Sequence, residues 1–157
     1  MRVACIANSW IPSVYANSIQ VMKMCEAIAG LGHEVTLFVG TNEKEEIQLE
    51  EGDIFSSYGV ERIFEIKKIP LRINSIHALI SSVYAKLKKT ELCYTRSIYA
   101  ASLIPRLGIL TIFEADNPIY WRLGNRIAPL LLNSPRLKIL SISNSLTKLY
   151  IERYKIN

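Results

Sequence analysis

Six short runs of apolar, partly β-branched residues recur along the chain. Most are followed by a polar stretch and then by apolar positions at helical spacing. Arg2 to Ala7 is the first run, and its almost unbroken apolar character predicts a strand covered by helices on both faces. The loop Asn8 to Ala16, with Pro12, leads into Asn17-Ser18-Ile19-Gln20. A capping side chain followed three residues later by Gln20 predicts a helix start there. Val21, Met24, Cys25, Ile28 and Ala29 form one apolar stripe predicted to face the sheet, with Gln20, Lys23 and Glu26 opposite it. Gly32 can close this helix in the left-handed conformation, and Glu34 to Val39 resumes strand character. The order strand, helix, strand implies parallel pairing and a right-handed crossover.

Further along, the acidic stretch Thr41 to Gly59 breaks the rhythm and is expected to be a loop with a short helix. Arg62 to Lys67 alternates apolar and polar more nearly than the other runs, as an edge strand would, and Pro70 closes it. From Ile73 onward, Ile76, Leu79, Ile80, Val83 and Leu87 return at helical spacing, which predicts a helix docked on the sheet through that stripe. Lys86, Lys88 and Lys89 sit in its last turn, where cations favour the helix dipole. His77 lies beside the stripe and reads as a partly buried structural histidine. Leu92 to Thr95 is the next strand, followed by a short helix from Ser97 to about Pro105 and a reset at Gly108. Ile109 to Glu114 is a strand, Ile119 to Leu132 is helical with an expected end or kink at Pro129, and Leu137 to Ile142 is the last strand. Ser143 with Asn144 caps a final helix. The pattern predicts a single domain over 1–157 of the doubly wound α/β class, with a mostly parallel, six-stranded, Rossmann-like sheet and helices on both faces.

The chain is long enough to bury roughly two thirds of its unfolded surface, and half its residues are apolar. No apolar run approaches the ~18 residues of a membrane span, and the amino terminus lacks the apolar core of a signal peptide, so a cytoplasmic protein is expected. Cys5, Cys25 and Cys93 are odd in number and set in apolar surroundings, which suits buried reduced thiols. The net charge of +5 is uneven: residues 41–53 carry a local balance of −5, which leaves +10 on the remainder. That basic remainder suits a solvated surface or attraction to phosphate-bearing ligands, and Arg122 and Arg126, one helical turn apart, raise the expectation of a peripheral membrane contact. Nucleic acid is not expected as a partner, because the basic residues form no block and carry no nucleic-acid motif. Neither a Gly-x-Gly-x-x-Gly fingerprint nor a Gly-Lys-Ser/Thr phosphate loop follows any strand, so no cofactor is expected. The scattered acids of 41–53 lack the spacing of a metal loop.

In an open parallel sheet, ligands bind at the carboxyl ends of the strands. The candidates there are Asn8, Ser9, Tyr15 and Asn17 after the first strand and Arg96 with Ser97 after the fourth. Glu114, Asp116 and Asn117 follow the fifth strand, and Ser143 with Asn144 follows the sixth. Asn17, Ser143 and Asn144 equally suit plain helix caps. Arg96 can serve as a ligand contact or pair with Glu114 or Asp116, and Glu114 can be a structural acceptor rather than a reacting group. Trp10, Tyr120 and Trp121 read as packing or cleft-wall residues.

Four segments carry a resemblance. The first strand with its Pro12 loop and the helix end Ala27-Ile28-Ala29-Gly30-Leu31-Gly32-His33-Glu34-Val35 resemble the amino-terminal end of family 4 glycosyltransferases, of the GT-B fold. Tyr94-Thr95-Arg96-Ser97 is similar to that family's Thr-Arg or Ser-Arg strand end. Phe113-Glu114-Ala115-Asp116 resembles its Glu-x-His segment, and Ser141-Ile142-Ser143-Asn144-Ser145-Leu146 its serine-rich turn. The resemblance implies the acceptor-side domain of a retaining, metal-independent enzyme that moves sugar from a nucleotide-sugar donor to a glycan, lipid or small-molecule acceptor. The donor is held by a second domain, which is expected beyond this chain, so the chain alone is expected to be inactive. Where the family has histidine this chain has Asp116, which can accept hydrogen bonds from sugar hydroxyls or act as a base. The first loop has Ser13-Val14-Tyr15 where the family commonly has a glycine pair, so close backbone approach to a phosphate is harder. Glu114 and Asp116 are the catalytic candidates. The alternative is a non-catalytic α/β binding or interaction module.

Overall fold

In the computed structural model, the alternation of strands and helices closes into one parallel sheet. The structure describes residues 1–40, 53–69, 74–119 and 124–156, and of residues 124–127 only the backbone. The elements are β1 (Arg2–Trp10), α1 (Ala16–Gly30), β2 (Glu34–Gly40), α2 (Ile54–Ser57), β3 (Glu65–Ile69), α3 (Asn74–Leu87) and β4 (Leu92–Thr95). They continue with α4 (Ile98–Leu103), a 3-10 turn (Ile104–Leu107), β5 (Leu110–Ala115), α5 (Gly124–Leu132), β6 (Leu137–Ser141) and α6 (Asn144–Glu152). The six strands lie in the order β3-β2-β1-β4-β5-β6, and every pairing is parallel. This is the doubly wound, Rossmann-like architecture expected from the sequence.

Period-two alternation sends β1 side chains to two separate cores. Val3, Cys5 and Ala7 join Val35, Leu37 and Val39 of β2 beneath Val21, Met22 and Cys25 of α1, with Phe55 of α2. Ala4 and Ile6 point the other way and pack with Phe38, Cys93, Ala78 and Ala85 of α3, and Ala100 of α4. A third cluster gathers Phe113, Ala115 and Leu137 with Ala128 of α5 and Leu146 and Tyr150 of α6. All three cysteines are free and buried. Cys25 is held well above the ordinary thiol range by its hydrogen bond with Cys5 and by burial, and Cys93 by burial.

Several local expectations are corrected. The first strand runs on through Asn8 and Ser9 to Trp10, which pairs with Gly40 across an irregularity in the register. The helix that follows begins at Ala16, with the Tyr15 backbone at the cap position and no side-chain cap. Asn17 therefore lies in the first turn and is not the cap; the Tyr15 carbonyl accepts from Ser18 N and Ile19 N instead. The edge strand β3 starts at Glu65 rather than Arg62, because Phe64 is drawn into the core against Phe55, ring centroids 5.1 Å apart. α5 continues through Pro129 to Leu132. Proline removes one backbone donor there, while Arg106 donates to the carbonyls of Leu130 at 2.6 Å and Leu131 at 3.2 Å at the helix end. In the final helix Ser143 is the cap, its Oγ accepting from Leu146 N at 3.2 Å, and Asn144 is the first helical residue. Of the acidic stretch, residues 41–52 lie outside the described residues; Asp53 caps α2 by accepting from Phe55 N.

The largest departure is α3. The stripe Ile76, Leu79, Val83 and Leu87 faces solvent, and the helix meets the sheet through His77, Ala78, Ser81, Ser82 and Ala85. Small side chains let α3 sit close to the sheet and to α4, whose own inward residues are Ala100, Ala101 and Ser102. The spacing of large apolar residues located the helix correctly and its buried face wrongly.

His77 is buried rather than partly buried, at 3% exposed, and its Nε2 has no hydrogen-bond partner. Burial lowers its pKa from the ordinary 6.5, against a smaller opposing effect of its hydrogen bond with the Val39 backbone. The unfolded chain therefore binds this proton more tightly than the folded one. The stability His77 contributes is whole above its ordinary value of 6.5 and is lost as pH falls through the lower folded value. Urea unfolding is thus expected to show stability declining between about pH 7 and 5, with a shallower decline in His77→Gln. Equal slopes in the two proteins would show that His77 does not take up a proton on unfolding.

Candidate functional site

The winding of the sheet reverses between β1 and β4, and there the two central strands part. Their pairing ends at Ile6 with Thr95. Past that point the Ile6 carbonyl accepts from the Thr95 hydroxyl at 2.7 Å, and the same hydroxyl accepts from Ser97 N at 3.0 Å. The polypeptide is thereby satisfied without a further ladder bond, and a crevice opens at the carboxyl ends of the strands, where such sheets hold ligands.

A cluster of polar side chains lines the adjoining strand ends. Tyr94 and Arg96 point to the α1 face of β4; Glu114 and Asp116 share that face on and after β5, since Tyr94 lies level with Ile112. Tyr94 donates its hydroxyl proton to Glu114 Oε2 in a short hydrogen bond. Gln20 reaches in from α1, donating from Nε2 to both Glu114 oxygens at 3.2 and 3.4 Å, while its Oε1 accepts from Arg96 at 2.6 Å. Arg96 makes a close ion pair with Asp116 and stands 3.6 Å from Glu114 through Nε. That Nε is buried and has no hydrogen-bond partner.

Burial, followed by the hydrogen bond to Glu114 and its charge, raises the Tyr94 hydroxyl far above the usual tyrosine range. Tyr94 is therefore a proton donor to Glu114 and holds its own proton throughout the physiological range. Glu114 is 8% exposed with both oxygens engaged, whereas the Asp116 side chain is 31% exposed and committed to Arg96 through Oδ2. One guanidinium thus stands against two carboxyl groups. The arrangement suits hydrogen-bond donors such as hydroxyls better than an incoming phosphate.

The remaining candidates are distributed around this cluster. Ser9 is buried at the end of β1, and Asn8 beside it is exposed. Tyr15 and Asn17 are exposed at the start of α1. Their loop is held by Tyr58, whose hydroxyl accepts from Ser13 N at 2.6 Å and donates to Ser13 O at 2.7 Å. Ser97 is buried and caps α4. Asn117 is exposed, and its carbonyl accepts from Tyr150 at 3.2 Å. Ser143 and Asn144 are exposed at the start of α6. Trp10 is half-buried, whereas Tyr120, Trp121, Arg122 and the side chain of Arg126 lie outside what is described. Arg96, Glu114 and Asp116 are joined directly, and the others have no hydrogen bond to them. A separate hollow of about 340 Å³, lined by Leu137, Ile139, Tyr150 and Ile156 among others, contains no residue of the cluster.

Sequence reasoning missed Gln20 and Tyr94. Gln20 had the position of a capping-box side chain, but the helix starts two residues earlier than that reading requires, so Gln20 lies beyond the capping position and reaches the strand ends. Tyr94 was legible from alternation alone, being two residues before Arg96 and so on the same face.

The fold and its strand-end cluster define a Rossmann-like, doubly wound α/β domain. No protein-family model and no curated protein sequence matches the chain. Among solved structures it is similar to a glycosyltransferase from Rickettsia africae ESF-5, with a TM-score of 0.59 at 12% identity over 99% of this chain. The matched part is 40% of that protein, so the chain spans about two fifths of its length. At this identity the likeness is one of fold.

Replacing Tyr94 with Phe leaves Glu114 buried with one donor fewer, and the expected cost is about 1–2 kcal/mol of unfolding free energy. Urea titration checks this; an unchanged midpoint would mean that the Tyr94 bond to Glu114 adds nothing.

Proposed function

We propose that this domain is the acceptor-side half of a retaining glycosyltransferase of the GT-B type, in the family 4 lineage. A second domain would hold the nucleotide-sugar donor, and a glycan, lipid or small-molecule acceptor would enter the crevice described above. The observation that carries this reading is the partly open Asp116 carboxylate, fixed by Arg96 at the strand switch. Support comes also from the likeness in fold to part of a glycosyltransferase and from the segments around Arg96, Asp116 and Ser143.

In this reading Asp116 acts on the acceptor. Its free carboxylate oxygen accepts a hydrogen bond from the acceptor hydroxyl and takes that proton as the oxygen bonds to the anomeric carbon on the same face from which the nucleoside diphosphate leaves, so that the configuration is retained. Arg96 fixes the carboxylate in position. Glu114, sealed by Tyr94 and Gln20, is better suited to holding Arg96 than to reacting, so of the two acids Asp116 carries the chemistry. Asn8, Tyr15, Asn17, Asn117 and Asn144 are exposed at the same sheet edge and available to a sugar's hydroxyls. The second reading, a non-catalytic binding module, is favoured by one observation: Arg96 already satisfies Asp116 within the domain.

The test uses protein produced from the full reading frame. Calorimetry is expected to show nucleotide-sugar binding, and Asp116→Asn is expected to lower kcat about 100-fold or more. The donor Kd should stay within about twofold of the parent's, because that ligand is bound elsewhere. A full-length protein that binds no nucleotide sugar would end the glycosyltransferase reading; binding with kcat untouched by Asp116→Asn would end the role given to Asp116.

A further inference from the structure

The outward face of α3 inverts the usual pattern of a surface helix. Ile76, Leu79, Val83 and Leu87 are 39, 52, 49 and 72% exposed, at positions i, i+3, i+7 and i+11. They form a single line down the helix, and Tyr84, 39% exposed, widens it. Water contact along such a line is unfavourable, and a stripe of this length on a monomer marks a surface that something covers.

Lysines rim the stripe. The Lys67 amino group stands 4.0 Å above the Tyr84 ring on one flank. Lys86, on the other, donates to the neutral Leu107 carbonyl at 2.8 Å. Lys88 and Lys89 follow the last turn. Against these four cations stand two described acids, Glu65, which pairs with Lys88 and is also under the influence of Lys67, and Glu91, which accepts from Arg2 N beyond the helix end. The first turn of α3 contains no acid. Two copies packed antiparallel through this face would lay the lysine end of each helix on an acid-free end of the other, and the charge would stay unanswered.

We propose that this face docks the domain on an anionic lipid surface. The stripe would lie along the membrane plane at the boundary of headgroups and acyl chains, with Lys67, Lys86 and Lys89 at the phosphates. At 1.5 Å per residue the 14-residue helix is about 21 Å long. No described helix is long and apolar enough to cross a membrane, so the contact is one of lying on the surface. The proposal stands apart from the sugar-transfer reading, since α3 contributes no residue to the strand-end cluster.

Cosedimentation of the 157-residue chain with vesicles tests it. Binding is expected to phosphatidylcholine vesicles containing phosphatidylglycerol, and to weaken as salt is raised. The double variant Leu79→Ser, Val83→Ser should lower the partition about tenfold or more. Lys86→Gln and Lys89→Gln should each lower it about fivefold. Circular dichroism should show both sets folded, since the altered side chains are exposed; should the double variant unfold, Leu87→Ser at 72% exposure replaces it. Absence of binding to anionic vesicles, or binding that the stripe variants leave unchanged, would overturn the proposal. So would a lipid-free dimer in sedimentation velocity that the same variants dissolve, which would assign the face to a second copy of the chain.

Discussion

The bond from the Thr95 hydroxyl to the Ile6 carbonyl marks the point on which the domain's geometry turns. A central strand buried on both faces has no water to satisfy its backbone, so β1 can leave β4 only where a side chain replaces the missing ladder partner. Thr95 supplies that partner, and its oxygen also takes the Ser97 amide that opens α4. Two central strands can then diverge without exposing an unpaired buried carbonyl. The crevice so formed exists because the crossovers on either side of it wind to opposite faces of the sheet.

Most of that architecture was legible in the sequence, because apolar runs bounded by Gly, Pro and Asn report strands whatever they pack against. All six strands appear where expected, within three residues at most ends. What failed were statements about which way a residue faces. For α3 the rule that large apolar residues point inward met a helix that approaches the sheet through Ala78, Ser81 and Ala85, where close contact replaces bulk. For α1 a shift of two residues in the helix start moved Gln20 from a solvent-side cap to the centre of a polar network. Such errors arise from tertiary context, since no local spacing records how near two elements will come. The sequence could place Arg96, Glu114 and Asp116 near one another because strand ends are fixed by topology, and their mutual pairing is one of the two roles that Arg96 could take.

The site's chemistry follows from unequal burial of like groups. Glu114 and Asp116 lie two residues apart on the same face, yet one is sealed beneath Tyr94 and Gln20 while the other stands at the rim. A single guanidinium spans both. The inner acid serves as the anchor that holds Arg96, and Arg96 in turn fixes the outer acid. This hierarchy places a carboxylate at an accessible edge with restricted freedom, at the cost of a buried N–H of Arg96 left without a hydrogen bond.

Arg106 has a consequence beyond its own neighbourhood. Its guanidinium donates to Ser102 O in the last turn of α4 and to Leu130 O and Leu131 O at the close of α5, so one side chain rivets two helices that are not neighbours in sequence. Pulling α5 away from the sheet must either strip the Leu130 and Leu131 carbonyls of this donor or drag α4 along with it, and α4 begins three residues beyond the threonine at which the central strands part. The outer layer on that side is therefore a slab rather than two independent rods, clamped by one cation over the core cluster that Ala101 and Ala128 share.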